Sequence, residues 1–145
     1  MRQLLRPLWV QRVAPLWPFG RKRILLLEDD TAMQKLVAKL LRSLRVRVDL
    51  FGNGRAVIDR IATAGDRYDA FLLDLMMPHD GGLSVLRNLR DDHSALLGRV
   101  ILLTGSGKGV TDSWSDLVFA VVHKPFDGAA LLSTVNACVR QPVSE

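Results

Sequence analysis

Four times in this chain a run of four apolar residues ends on a polar one. Ile24-Leu25-Leu26-Leu27 runs into Glu28-Asp29-Asp30, and Ala70-Phe71-Leu72-Leu73 into Asp74. Val100-Ile101-Leu102-Leu103 runs into Thr104, and Phe119-Ala120-Val121-Val122 into His123-Lys124. A short, continuous apolar run is how a strand buried on both faces reads. Between the runs the period changes to that of helices. Met33, Leu36, Val37, Leu40, Leu41 and Leu44 form one stripe, and Val57, Ile58, Ile61 and Ala62 a second. Leu83, Val85, Leu86 and Leu89 form a third, and Leu131, Leu132, Val135, Cys138 and Val139 a last. Val46–Phe51 reads as a further strand, closed by Gly52-Asn53-Gly54. Asp30 or Thr31 can cap the first helix and Asp127 the last. The pattern is β-α repeated five times, which predicts an α/β fold with a five-stranded, doubly wound parallel sheet. Residues 105–116 are rich in Gly, Ser, Thr and Asp, so the fourth helix is expected to be short or irregular.

In a sheet of this kind the strand C-termini form the ligand crevice. The notable polar groups all fall there: Glu28, Asp29 and Asp30, then Asp74, Thr104 and Lys124. Crowded carboxylates repel one another and are driven to protonate. A divalent cation relieves that repulsion, and hard oxygen donors without sulfur or nitrogen favour Mg²⁺. With a lysine and a threonine hydroxyl opposite, the set can hold a phosphoryl group and supply a carboxylate to attack phosphorus. Each residue alone reads more readily as a surface group or a cap than as a functional one; together, at four strand ends, they point to one site.

The residues that carry this pattern resemble the receiver domain of two-component response regulators. Arg23-Ile-Leu-Leu-Leu-Glu-Asp-Asp30 resembles the family's first strand and acidic pair. Tyr68-Asp-Ala-Phe-Leu-Leu-Asp-Leu-Met-Met-Pro78 resembles the segment around the phosphorylated aspartate. Val100-Ile-Leu-Leu-Thr-Gly105 resembles the segment with the switch threonine, and His123-Lys-Pro-Phe126 the lysine-proline-phenylalanine signature. The resemblance implies a flavodoxin-like (βα)5 fold over residues 22–140, as in chemotaxis-type single-domain regulators. Residues 1–21 are then a basic extension and 141–145 a short tail. It implies Asp74 as phosphoacceptor. It implies that Asp29 binds Mg²⁺ directly, Glu28 through water, and the backbone carbonyl of Met76 as a further ligand. Lys124 pairs with the phosphoryl group, Thr104 swings inward to it, and Lys124-Pro125 is cis. Asp30 is read as a helix cap. The partners implied are a sensor histidine kinase or phosphotransfer protein and a downstream protein target. The domain assists its own phosphorylation and is otherwise not an enzyme.

The sequence also departs from the family. Val121 stands where an aromatic residue usually does, so switching by ring rotation is not expected. The stretch from Thr104 to Lys124 is a couple of residues short. After Pro78 the usual Asp-Gly pair is shifted: Asp80 is one position early, Gly81 takes its slot, and Gly82 matches. Met76 and Ser106 flank the approach of water to the phosphoryl group, and an apolar Met76 predicts slow self-dephosphorylation.

Composition closes other routes. Net charge is +5, but residues 1–23 carry six cations and no acid, leaving the other residues near neutral at −1. A nucleic-acid-binding role is therefore not expected of the body. The basic stretch, with Trp9 and Trp17, allows weak contact of residues 1–20 with a membrane surface. One cysteine, Cys138, excludes an internal disulfide and a cysteine zinc site and suits a cytoplasmic setting. It is expected in the core. A hydrolase with an aspartyl-phosphate intermediate would carry a second Asp two residues past the nucleophile; Met76 is there. No DNA-binding or catalytic module is expected after residue 140.

Overall fold

The computed structural model describes residues 20–105 and 111–142. Its strands are β1 (Arg23–Leu27), β2 (Arg47–Phe51), β3 (Ala70–Asp74), β4 (Val100–Thr104) and β5 (Ala120–His123). Its helices are α1 (Thr31–Leu41), α2 (Gly54–Ala64), α3 (Gly81–Asp92) and α4 (Gly128–Val139). All strand pairs are parallel, in the order β2-β1-β3-β4-β5. The doubly wound sheet expected from the four apolar runs is thus present. The strand starts differ from the sequence reading by a residue: β2 opens at Arg47 and β5 at Ala120. Phe119 still joins the ladder, its N–H donating to the Val100 carbonyl at 2.8 Å.

Alternate residues of each strand enter opposite layers, as the pleat requires. Ile24, Leu26, Leu72, Ile101 and Leu103 pack with Val37 and Leu41 of α1 and Leu131, Val135 and Cys138 of α4. Leu25, Leu27, Phe71, Leu73 and Leu102 pack with Val57 and Ile61 of α2 and Val85, Leu86 and Leu89 of α3. Burying a strand leucine from both sides stabilises by about 1.5–3 kcal/mol. That is why the apolar runs have no polar interruption until the sheet edge. Cys138 is buried as expected, and burial pushes its thiol up to about 11.

Helices α1, α2 and α4 each start where a short polar side chain accepts free backbone N–H groups. Asp30 caps α1, accepting from Ala32 at 2.8 Å and Met33 at 3.2 Å. Asn53 caps α2, accepting from Ala56 at 2.8 Å, and Asp127 caps α4 through Ala129. Between β4 and β5 residues 106–110, with Ser106, lie outside the described residues. From Thr111 the chain makes tight turns: the N–H groups of Trp114 and Ser115 both donate to the Thr111 carbonyl. Trp114 is buried against the α3 layer, with the Arg90 guanidinium 5.4 Å from its ring centre. Residues 1–19 and 143–145 also lie outside the described residues. The readings of the basic extension fall there.

Candidate functional site

Two strands deliver the acidic cluster to one end of the sheet, and a third adds a threonine. Glu28 follows β1, whose pairing with β2 continues past the strand as the Glu28 N–H donates to the Phe51 carbonyl at 3.0 Å. Asp74 is the last residue of β3, and Thr104 the last of β4, in register with His123 of β5. Glu28, Asp29 and Asp74 each offer a carboxylate oxygen within 4.8 Å of the other two. Glu28, Asp74 and Thr104 are buried, whereas Asp29 is exposed. The cluster therefore opens to solvent on the Asp29 side.

Lys124 answers the acids. Its Nζ lies 3.1 Å from Glu28 Oε2 and 3.3 Å from Asp74 Oδ2. The residue is aimed by the backbone: its N–H donates to the Thr104 carbonyl at 2.6 Å, and the Lys124-Pro125 bond is cis, as expected. The other carboxylate oxygens are also held. Asp74 Oδ1 accepts from the Met76 N–H at 2.8 Å, and Glu28 Oε1 from the Asp30 N–H at 3.1 Å. The Gln34 side chain donates to the Glu28 carbonyl.

The electrostatics follow from burial and neighbours. Burial pushes the Glu28 carboxyl above its ordinary range, and the adjoining Asp74 adds to this against the opposing Asp30 N–H and Lys124. For Lys124 burial favours the neutral amine, but the Glu28 and Asp74 carboxylates outweigh it and hold the ammonium above its ordinary value. A carboxylate pair this tight is held together by a cation, and one lysine is shared between two acids. The donors are all hard oxygens, which fits a divalent cation of the Mg²⁺ type.

Close approach of backbone also shapes the site. A Cβ on Gly82 would collide with the Asp74 carbonyl, and one on Gly54 would lie 2.5 Å from the Gly81 oxygen. Only glycine lets α3 start this close to Asp74. The turn before α3 includes His79 in the left-handed region at φ 63°. Gly82 was visible in the sequence only as the matching residue of a shifted motif. The clash that requires it is with backbone, which no spacing rule reveals. Val121, in place of the usual aromatic, is partly buried and packs toward the α3 layer. Met76 is 52% exposed beside the cluster.

Residues 24–136 match the family described as the response regulator receiver domain. The chain belongs to that family. The receiver fold, its acidic pocket of Glu28, Asp29 and Asp74, and its standing as a phosphoacceptor signalling domain rather than a conventional enzyme accord with the sequence reading. Receiver domains are phosphorylated by histidine kinases. The receiver is 36% identical over 122 residues to the response regulator protein PmrA of Pseudomonas aeruginosa, covering 82% of this chain and 53% of that protein. It is 34% identical over 126 residues to the response regulator MprA of Mycolicibacterium vanbaalenii, covering 82% and 51%. The chain thus spans about half the length of these curated relatives. A similar solved structure is the receiver domain of a Pseudomonas aeruginosa sensor histidine kinase, with a magnesium ion coordinated in its active-site cleft. It is 27% identical, with a TM-score of 0.71 over 83% of this chain and 99% of that one. The receiver domain of a Luxo repressor protein from Vibrio parahaemolyticus has the same fold at 22% identity, with a TM-score of 0.71 over 83% and 91%. Among the described residues no helix is long and apolar enough to cross a membrane.

Proposed function

We propose that this receiver takes a phosphoryl group onto Asp74 from a phosphohistidine of a sensor histidine kinase or phosphotransfer protein. One Asp74 carboxylate oxygen attacks phosphorus, the P–N bond to histidine breaks, and the imidazole leaves with the electron pair and gains a proton. The product is an acyl phosphate on Asp74. The observation that carries this reading is the Lys124 ammonium between Glu28 and Asp74, at 3.1 and 3.3 Å, with Asp29 alongside.

Glu28, Asp29, Asp74 and the backbone carbonyl of Met76 would hold Mg²⁺, which when bound neutralises phosphoryl oxygens during transfer. Asp29 would bind the cation directly and Glu28 through water. Lys124 exchanges part of its contact with Asp74 for a phosphoryl oxygen. Thr104, buried at the end of β4, turns its hydroxyl to a second oxygen. The dianion thereby favours one arrangement of the sheet edge, which changes a protein-binding surface. Val121 gives no ring to rotate with Thr104, so packing against the α3 layer carries the change. The likeness to a receiver solved with magnesium in its cleft supports the metal assignment.

The domain reaches over residues 22–140 and acts in the cytoplasm, with residues 1–20 allowing weak contact with a membrane surface. The test of transfer is a radiolabelled phosphohistidine donor incubated with the chain and Mg²⁺. Label should move to the chain and stay on the donor when the metal is chelated. Transfer of equal extent in chelator would contradict the role of the cation.

A further inference from the structure

Two adjacent methionines just past the end of β3 differ sharply in exposure. Met77 is buried in the α3 layer, where a Cβ on Gly81 would lie 3.2 Å from its Cε. Met76 is 52% exposed. The remaining described methionine, Met33, is partly covered beside the α1 layer. Among the described methionines Met76 is therefore the most open to solvent.

Its place in the site gives that exposure a consequence. The Met76 N–H donates to Asp74 Oδ1 at 2.8 Å, so its backbone is fixed to the phosphoacceptor carboxylate. A Cβ on Gly105 would lie 3.7 Å from Met76 Cγ, 4.0 Å from its Cε and 3.9 Å from Lys124 Cβ. The sulfur is bonded to both of those Met76 carbons, so it too lies beside the end of β4 and near the lysine. The thioether thus crosses from β3 toward β4 at the open rim of a cluster whose Glu28, Asp74 and Thr104 are buried. A thioether is a weak acceptor and holds no water in place. Its oxidation product, a sulfoxide, is polar and carries an accepting oxygen at the same position.

We propose that Met76 is an oxidation site and that its sulfoxide hastens loss of the phosphoryl group from Asp74. The inference rests on phosphorylation at Asp74. The oxidant is a peroxide. A sulfur lone pair attacks one peroxide oxygen, the O–O bond breaks and an S–O bond forms. The released hydroxide takes the proton left on the transferred oxygen and departs as water. Sulfur loses two electrons and the peroxide gains them. The sulfoxide oxygen then accepts a hydrogen bond from a water at the rim and holds that water toward phosphorus. The water oxygen bonds to phosphorus, and the P–O bond to Asp74 breaks with its electron pair staying on the carboxylate. Both water protons leave with inorganic phosphate. The sulfoxide orients the water and takes no proton, so Met76 acts as a positioning residue. Reduction of the sulfoxide restores the original side chain.

The test treats the full chain with hydrogen peroxide, removes it, and then loads the chain with acetyl phosphate and Mg²⁺. Fragment-ion mass spectrometry of peptides should place a gain of about 16 daltons on Met76 well before Met77 or Met33. Loss of the phosphoryl adduct of about 80 daltons is then followed on intact protein, where oxidised and unoxidised chains separate by mass in one sample. Oxidised chains should lose it about threefold to tenfold faster, the contribution of one hydrogen bond. A methionine sulfoxide reductase should restore the slower loss. Met76→Leu keeps the backbone carbonyl and has no sulfur, and its own rate should be the same with and without peroxide. Oxidation of Met77 or Met33 as fast as Met76 would overturn the proposal. So would equal loss from oxidised and unoxidised chains, peroxide sensitivity retained in Met76→Leu, or a faster loss matched by a lowered melting temperature. An untreated chain that takes no adduct would contradict phosphorylation of Asp74 itself and the inference with it, a failure distinct from the others.

Discussion

Asp74 and Lys124 are held by backbone on both sides, so the chemistry of the site depends on small distances. Gly82 is the most exacting residue. A Cβ there meets the Asp74 carbonyl, so Gly82→Ala should displace the start of α3. The expected cost is about 1–3 kcal/mol, seen as a melting temperature lower by several degrees. Slower phosphorylation should accompany it. An unchanged melting temperature would mean that α3 can start elsewhere. Met76 is exposed next to the cluster and offers water no polar side chain. The acyl phosphate on Asp74 should therefore persist for minutes or longer, and Met76→Asn should shorten its lifetime severalfold. The check is loss of the phosphorylated mass with time; a wild-type half-life of seconds would count against Met76 as the cause. That Asp74, Thr104 and Lys124 gather at one end of the sheet was legible because strand ends converge whatever the details of packing. The need for glycine at 82 was not, because its partner is a carbonyl eight residues away whose position only the fold defines.

At the scale of elements, the strands and the helix caps were readable from local pattern. Four apolar residues followed by a polar one, then Asp or Asn before an amphipathic stripe, leave few other folds. The link between β4 and β5 was less readable, since polar and glycine-rich residues set no period. Its anchor is Trp114, which is buried against α3 with Arg90 over its ring. Trp114→Ala should cost about 3 kcal/mol or more in denaturant unfolding, as for other large core truncations. A loss under about 1 kcal/mol would mean that the turn holds itself without the ring. A second unforeseen device ties β1, β2 and β3 together at their other end. Asp49 accepts from Tyr68 Oη at 2.6 Å and from Arg23 at 2.9 Å. Burial alone would raise the Asp49 carboxyl, but these two donors and the Arg60 charge outweigh it and hold the group below its ordinary value of 3.8. A depressed carboxyl stabilises the fold above its unfolded value, and that contribution is lost as pH falls through the folded one. Asp49→Asn should therefore be less stable than wild type at neutral pH, with the difference shrinking as pH drops below 3.8. A constant difference across that window would show that the charge is not what matters. Sequence reading missed this network because its members, Arg23, Asp49, Arg60 and Tyr68, come from four separated segments.

For the whole molecule, the parallel sheet places Glu28, Asp29, Asp74, Thr104 and Lys124 at one end and leaves the basic residues of α1 and β2 along a side. Averaged over the chain, charge says little; resolved by position, it marks an acidic cluster closed by one lysine and a separate cationic face. The central claim concerns the first of these. The most direct measurement is the intact mass of the full chain after incubation with Mg²⁺ and acetyl phosphate, beside the Asp74→Asn variant. The wild type should gain a single adduct of about 80 daltons, and the variant, with the same fold but no nucleophilic carboxylate, should gain none. Absence of the adduct on the wild type, or its persistence in Asp74→Asn, would contradict the account.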